Sequence, residues 1–164
     1  MNRNFIVVLL LALTVGCATT PRTTLSHTTE FPAEALITQR GTLTAPFIGQ
    51  FTFNGFLAKS AEGGMRLVVM ENFGSVMADV LVKPNGTVYV MRSSAAFRPE
   101  WIRDYLAADL QCIFGNERNC PGQTLSPKHF QIKRRRYKLD LKIVEIKPGP
   151  QSPEMFDESK AEKL

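Results

Sequence analysis

Between Leu36 and Arg92 the chain repeats one pattern five times, a run of strand-forming residues followed by a turn signal. The runs are Leu36 to Ala45, Ile48 to Ala58, Met65 to Asn72, Ser75 to Lys83 and Thr87 to Arg92. Gly63-Gly64 and Pro84-Asn85-Gly86 separate them, and Asn-Gly in particular favours a two-residue hairpin turn with positive φ. The pattern predicts an antiparallel meander. Along Phe51-Thr52-Phe53-Asn54 the alternation puts both phenylalanines on one face, and Gly55 before Phe56-Leu57 predicts a bulge or bend that curves the sheet.

A change of period follows. Arg98-Pro99-Glu100-Trp101 reads as a helix start, with Pro at the first helical position and Glu at the positive end of the dipole. The helix should run to about Phe114. Trp101, Ile102, Tyr105, Leu106, Leu110 and Ile113 form a stripe near the 3.6-residue period, while Arg103, Asp104 and Asp109 face elsewhere. From Cys120 to Pro127 the chain reads as loop, and Lys128 to Arg136 and Tyr137 to Lys147 as strand, either divided by a turn or continuous. The segment Phe31 to Ile37 reads as an irregular lead or a short helical turn. The expected fold is α+β, mainly antiparallel β, as a curved and unclosed barrel-like sheet with one main amphipathic helix on it.

The two ends have other signatures. Met1-Asn2-Arg3-Asn4 is a basic lead, Phe5 to Leu13 an apolar run, and Thr14-Val15-Gly16-Cys17 a small-residue stretch ending in cysteine, the grammar of a cleavable secretory signal. The apolar run falls short of the roughly 20 residues that a spanning helix needs. Cys17 with Gly16 before it resembles the lipobox of bacterial lipoproteins, whose cysteine thiol carries diacylglycerol. An ordinary signal peptide that ends near a cysteine is the alternative. Two or three acyl chains at about 0.8 kcal/mol per buried methylene make a durable anchor. In that family Asp after the cysteine favours inner-membrane retention. Here the residue is Ala18, so the expected location is the periplasmic face of the outer membrane.

The resulting organisation is residues 1–16 signal, 17–29 lipidated terminus and Thr/Ser-rich tether, 30–147 a single domain, and 148–164 a charged, Pro-containing tail expected to be disordered. Of 20 basic residues the signal removes only Arg3, leaving 19 against 15 acidic ones, a mild excess that suits anionic lipid. Nucleic acid as a partner conflicts with the export signal. With Cys17 assigned to lipid, Cys112 and Cys120 form the obvious pair, since an oxidising periplasm would let a disulfide close their short loop for about 2–3 kcal/mol. Two free thiols are the alternative.

Little points to catalysis. His27 lies in the tether and His129 beside a basic run, so neither is placed as a catalytic base or a metal ligand. Glu62-Gly63-Gly64-Met65 lacks the spacing of a phosphate loop. The expectation is a non-enzymatic protein without cofactor or metal. The run Lys133-Arg134-Arg135-Arg136, flanked by Lys128 and Lys138, is the densest charge. It reads either as a contact for an anionic surface or acidic partner, or as a strand edge kept basic to prevent edge pairing.

A surplus of Phe and Met accompanies the strands: Phe47, Phe51, Phe53, Phe56, Met65, Met70, Phe73, Met77 and Met91. Such side chains adapt to acyl chains and also fill ordinary cores. Phe51, Phe53, Phe56, Met70, Met77, Met91, Trp101 and Leu106 are the candidates for an apolar groove.

The order of lipobox, antiparallel meander, amphipathic helix and returning strands resembles the lipoprotein-localisation factors LolA and LolB, and is more closely similar to a family of bacterial lipoproteins related to them. The matching stretches are Phe53-Asn54-Gly55-Phe56-Leu57, Asn72-Phe73-Gly74-Ser75 with Asp79-Val80, Ala107-Ala108-Asp109-Leu110-Gln111 and Arg135-Arg136-Tyr137-Lys138-Leu139. The resemblance implies an unclosed β-barrel covered by helix that holds acyl chains. The link between the helix and the Tyr137 strand is shorter than in those factors, and no stretch matches the leucine-tipped loop of the membrane-bound one. The expected function is a lipid- or acyl-chain-binding accessory of the envelope. Its rival is a structural or adaptor lipoprotein with a filled interior and an envelope protein as partner.

Overall fold

In a computed structural model the chain is described over residues 30–46, 49–95, 97–115, 120–159 and 161–163. The signal segment 1–16, Cys17, the tether to Thr29 and Phe47 lie outside the described residues. Strands β1 (Ala35–Ala45), β2 (Gly49–Lys59), β3 (Met65–Glu71), β4 (Val76–Val82) and β5 (Val88–Ser93) pair each with the next, all antiparallel. The short punctuated links of the sequence allow this arrangement.

A second meander of β6 (Gln123–Ser126), β7 (His129–Lys133) and β8 (Lys138–Pro148) joins the first because β8 lies against β1 from Lys138↔Thr44 to Pro148↔Ala35. The two residues of β9 (Glu162–Lys163) pair with β5. The sheet order is β6-β7-β8-β1-β2-β3-β4-β5-β9, with β6 and β9 at separate edges, so the sheet is unclosed.

One face of the sheet is the core. Ile37, Leu43, Phe53, Leu57, Leu67, Val69, Val80, Leu139, Leu141 and Ile143 are buried in one cluster with Ile102, Leu106, Leu110 and Ile113 of the single helix of 16 residues. Each such side chain contributes about 1.5–3 kcal/mol when fully buried. Two glycines make the packing possible. Gly41 sits opposite Phe53, and a Cβ there would enter the phenyl ring. Gly55 sits opposite Gln39, and a Cβ would fall 2.7 Å from Gln39 Cγ and Nε2.

Gly55 therefore clears space and is not a bulge, since the register passes through it unshifted on both sides. The irregularities fall at Thr38/Gln39, Val69/Met70, Asp79/Val80 and Thr124/Ser126 instead.

The helix, α1, consists of an α turn Pro99–Trp101, a π-helical stretch Ile102–Ala107 and an α segment Ala108–Phe114. Pro99 occupies its first turn, as the sequence predicts. At the other end Lys59 Nζ donates to the Phe114 carbonyl at 3.0 Å and lies 5.9 Å from the centre of the Phe31 ring. A cation on the last carbonyls of a helix offsets the negative end of its dipole. Burial holds the Lys59 ammonium below its usual pKa. Cys112, in the last turn of the helix, and Cys120 stand at disulfide distance, with Cα atoms 5.4 Å apart.

One sequence expectation needs correction, and two open alternatives are decided. Gln123–Ser126 is strand, not loop, and the stretch from Lys128 to Lys147 is two strands divided by a turn at residues 134–137. Of the two readings of Phe31 to Ile37, the irregular lead holds for residues 31–34, and β1 begins at Ala35. The tail is also placed. Pro153–Phe156 forms a 3₁₀ turn whose Met155 and Phe156 carbonyls accept hydrogen bonds from Arg66 Nη1 (3.0 Å) and Lys83 Nζ (3.3 Å), while Lys83 pairs with Glu158 at 2.5 Å. A charged tail orders here because Arg66 of β3 and Lys83, just after β4, supply cations that hold it.

Candidate functional site

Between α1 and the sheet lies a gap lined by Leu43 of β1, Phe53 of β2, Val69 of β3, Phe97, Trp101, Leu106 and Asp109 of the helical side, and Tyr137 and Leu139. Its cavity volume is about 10 Å³, room for about one water. Rings crowd the rim: Phe97 meets Trp101 edge-on at 5.2 Å, and Tyr137 lies 5.6 Å from both Trp101 and Tyr105. Edge and tilted contacts of this kind add about 0.5–1.5 kcal/mol each beyond their buried area. As it stands the gap is too small for an acyl chain.

One polar anchor serves this apolar seam. Asp109 is only 2% exposed. Its Oδ1 accepts from Arg134 Nε at 3.1 Å and Nη2 at 2.6 Å, and its Oδ2 accepts a short hydrogen bond from the Tyr137 hydroxyl. Burial pushes the Asp109 carboxyl above the usual range, against the pull of Tyr137 and Arg134. Burial together with the facing carboxylate pushes the Tyr137 hydroxyl upward as well. The cluster ties α1 to the turn between β7 and β8.

The groove candidates divide. Phe53, Trp101 and Leu106 line the gap, while Phe51 and Met77 are half-buried against the core. Met70 and Met91 are half-buried outside that cluster. Phe56 is a correction: inward Phe53, Gly55 and Leu57 leave it on the opposite face, 38% exposed. The basic run divides too. Arg134 turns to Asp109, whereas Lys133, Arg135 and Arg136 are exposed.

Sequence reasoning missed two residues. Asp109 reads as lying off the apolar stripe, yet it stands three residues after Leu106 and four before Ile113, on the stripe itself. Phe73 was counted with the strand phenylalanines, but it sits at the β3–β4 hairpin tip and is 95% exposed. The signal was its place in Asn72-Phe73-Gly74-Ser75, a turn sequence with an aromatic in the middle; Gly74 takes φ +87°.

His129 Nε2 lies 2.8 Å from Asp140 Oδ1, and Gln131 Nε2 donates to Oδ2 at 3.1 Å. That pairing is partly exposed and lies along β7 and β8, away from the residues lining the gap. Among the described residues no three His, Cys, Asp or Glu side chains gather as a metal site, and no helix is long and apolar enough to cross a membrane. Neither a protein-family model nor a curated protein sequence matches the chain.

Proposed function

We propose that the chain is a non-enzymatic lipid- or acyl-chain-binding accessory of the cell envelope, anchored by lipid on Cys17 at the periplasmic face of the outer membrane. In this reading the unclosed sheet is curved like an open barrel, in keeping with the resemblance to LolA and LolB. The observation that carries it is the seam under α1. Leu43, Phe53, Val69, Phe97, Trp101, Leu106 and Leu139 make its walls apolar, and a single element roofs it. Displacing α1 alone would open an apolar channel. Phe73 supports the membrane setting, since a phenyl ring standing free on a hairpin tip is stabilised by an apolar medium.

An adaptor with a filled interior is the second reading, and the gap of about 10 Å³ favours it, because no acyl chain fits there unless α1 moves. Purifying the full chain in detergent, extracting non-covalent lipid and identifying it by mass spectrometry separates the two. Near-stoichiometric lipid, lost when Leu106→Trp fills the seam, is the expected result. A lipid-free chain that cannot exchange added fatty acid supports the adaptor instead.

A further inference from the structure

Three features of the β7–β8 turn have no explanation in folding. Arg134 N–H donates to the Tyr137 carbonyl at 2.8 Å and Lys133 pairs with Lys138, which leaves Arg135 and Arg136 as the two tip residues of a tight hairpin. Such tips favour Asn, Asp and Gly, which accept positive φ; among the described residues none other than glycine has positive φ, Arg135 and Arg136 included. Turn chemistry does not ask for two arginines. Second, Lys133 and Lys138 stand directly opposite each other, an arrangement that destabilises a ladder. Third, the run sits at a hairpin end and not along a sheet edge: Arg134 to Arg136 lie between the strands, and Lys138 of β8 is paired on both sides, with Lys133 and with Thr44.

Two acids close to the run in the fold are already engaged: Asp109 with Arg134 and Tyr137, Asp140 with His129 and Gln131. Lys133, Arg135, Arg136 and Lys138 are exposed, so their counter-charge comes from outside the described chain. Topology says which way they face. Every neighbouring pair of strands is antiparallel, so β1, β3, β5 and β7 run toward one end of the sheet. That end carries the β7–β8 tip, the β3–β4 tip with Phe73 and the entry to α1, while the β4–β5 turn with Asn85 lies at the other. The two tips are four strand spacings apart, roughly 20 Å along the sheet.

We propose that this end of the sheet docks on a bilayer rich in anionic phospholipid, with Lys133, Arg135, Arg136 and Lys138 on the headgroup phosphates. The proposal rests on the membrane setting of the preceding section and is independent of whether the interior takes lipid. Basic residues near an anionic surface act additively, at about 1 kcal/mol each. Their charge selects the bilayer by its anionic content.

The full chain in vesicles, carrying a fluorophore at Thr44→Cys beside Lys138 or at Asn85→Cys on the opposite end, tests this with headgroup-attached quenchers. In phosphatidylethanolamine–phosphatidylglycerol vesicles, quenching at position 44 should exceed that at 85 several-fold, and in phosphatidylcholine the two should be alike. Arg135→Gln with Arg136→Gln should collapse the difference without moving the thermal midpoint. Equal quenching at both ends, or an excess at 44 that ignores phosphatidylglycerol or the double substitution, overturns the proposal. Phosphatidylglycerol-dependent docking by a chain that extracts free of lipid would leave this inference standing and remove the acyl-binding one; bound lipid without docking would do the reverse.

Discussion

At the scale of single residues, Asp109 decides more than any other polar group. A carboxylate 2% exposed is tolerable only because a forked guanidinium and a phenol share it. Asp109→Ala should therefore destabilise the fold by about 3–5 kcal/mol in urea unfolding, since it leaves Arg134 without its carboxylate. The double change Asp109→Leu with Arg134→Met should recover most of that, and a double mutant no more stable than the single one would show that the cluster acts through shape instead of charge. Phe73→Ser should sit at the other extreme, within about 0.5 kcal/mol of the parent, because the ring contributes no buried surface. Both residues were hard to read for the same reason. Residue type alone sends an aspartate outward and a phenylalanine inward, and only a partner 25 positions away or an exposed hairpin tip reverses that.

Elements were far more legible where pattern and punctuation agree. β1 to β5 and α1 follow from alternation, Asn-Gly and Gly-Gly turns and Pro99, to within a residue or two. β6 did not, because Gln123-Thr124-Leu125-Ser126 is short and polar; it exists through pairing with β7. The tail eluded the sequence too, since Arg66 and Lys83 hold it from positions far away in the chain. The β7–β8 pair carries a pH signature. Burial alone would raise Asp140, but hydrogen bonds from His129 and Gln131 outweigh it and hold the carboxyl below its ordinary value of 3.8. A folded pKa below the unfolded one gives stability that is present above the ordinary value and lost as pH falls through the lowered one. Urea midpoints should drop on acidification in that window, and Asp140→Asn should flatten the drop by less than about 1 kcal/mol, given the pair's exposure. Reducing Cys112 and Cys120 should cost about 2–3 kcal/mol, read in the same titration with and without reductant.

For the whole molecule, the unclosed sheet makes a gradient of stability that bears on function. Its centre is β8-β1-β2, where eleven-residue strands share long registers and the buried face is continuous. Its edges are the four-residue β6 and the two-residue β9. Local opening free energies track buried contact, so native-state hydrogen exchange should rank the amides accordingly, slowest at Ile37 and Leu57 and fastest at β6 and β9. The informative position is α1. Its middle turn, Ile102–Ala107, is π-helical, a geometry seldom sustained and often found where function tolerates strain. It is also the roof of the apolar seam, held to the β7–β8 turn by Asp109. If the interior takes acyl chains, the amides of 102–107 must open well below the global unfolding free energy, and Asp109→Asn should speed their exchange while β1 and β2 amides change much less. An α1 that exchanges only with global unfolding would mean that the roof does not lift, and the adaptor reading would then have the better claim.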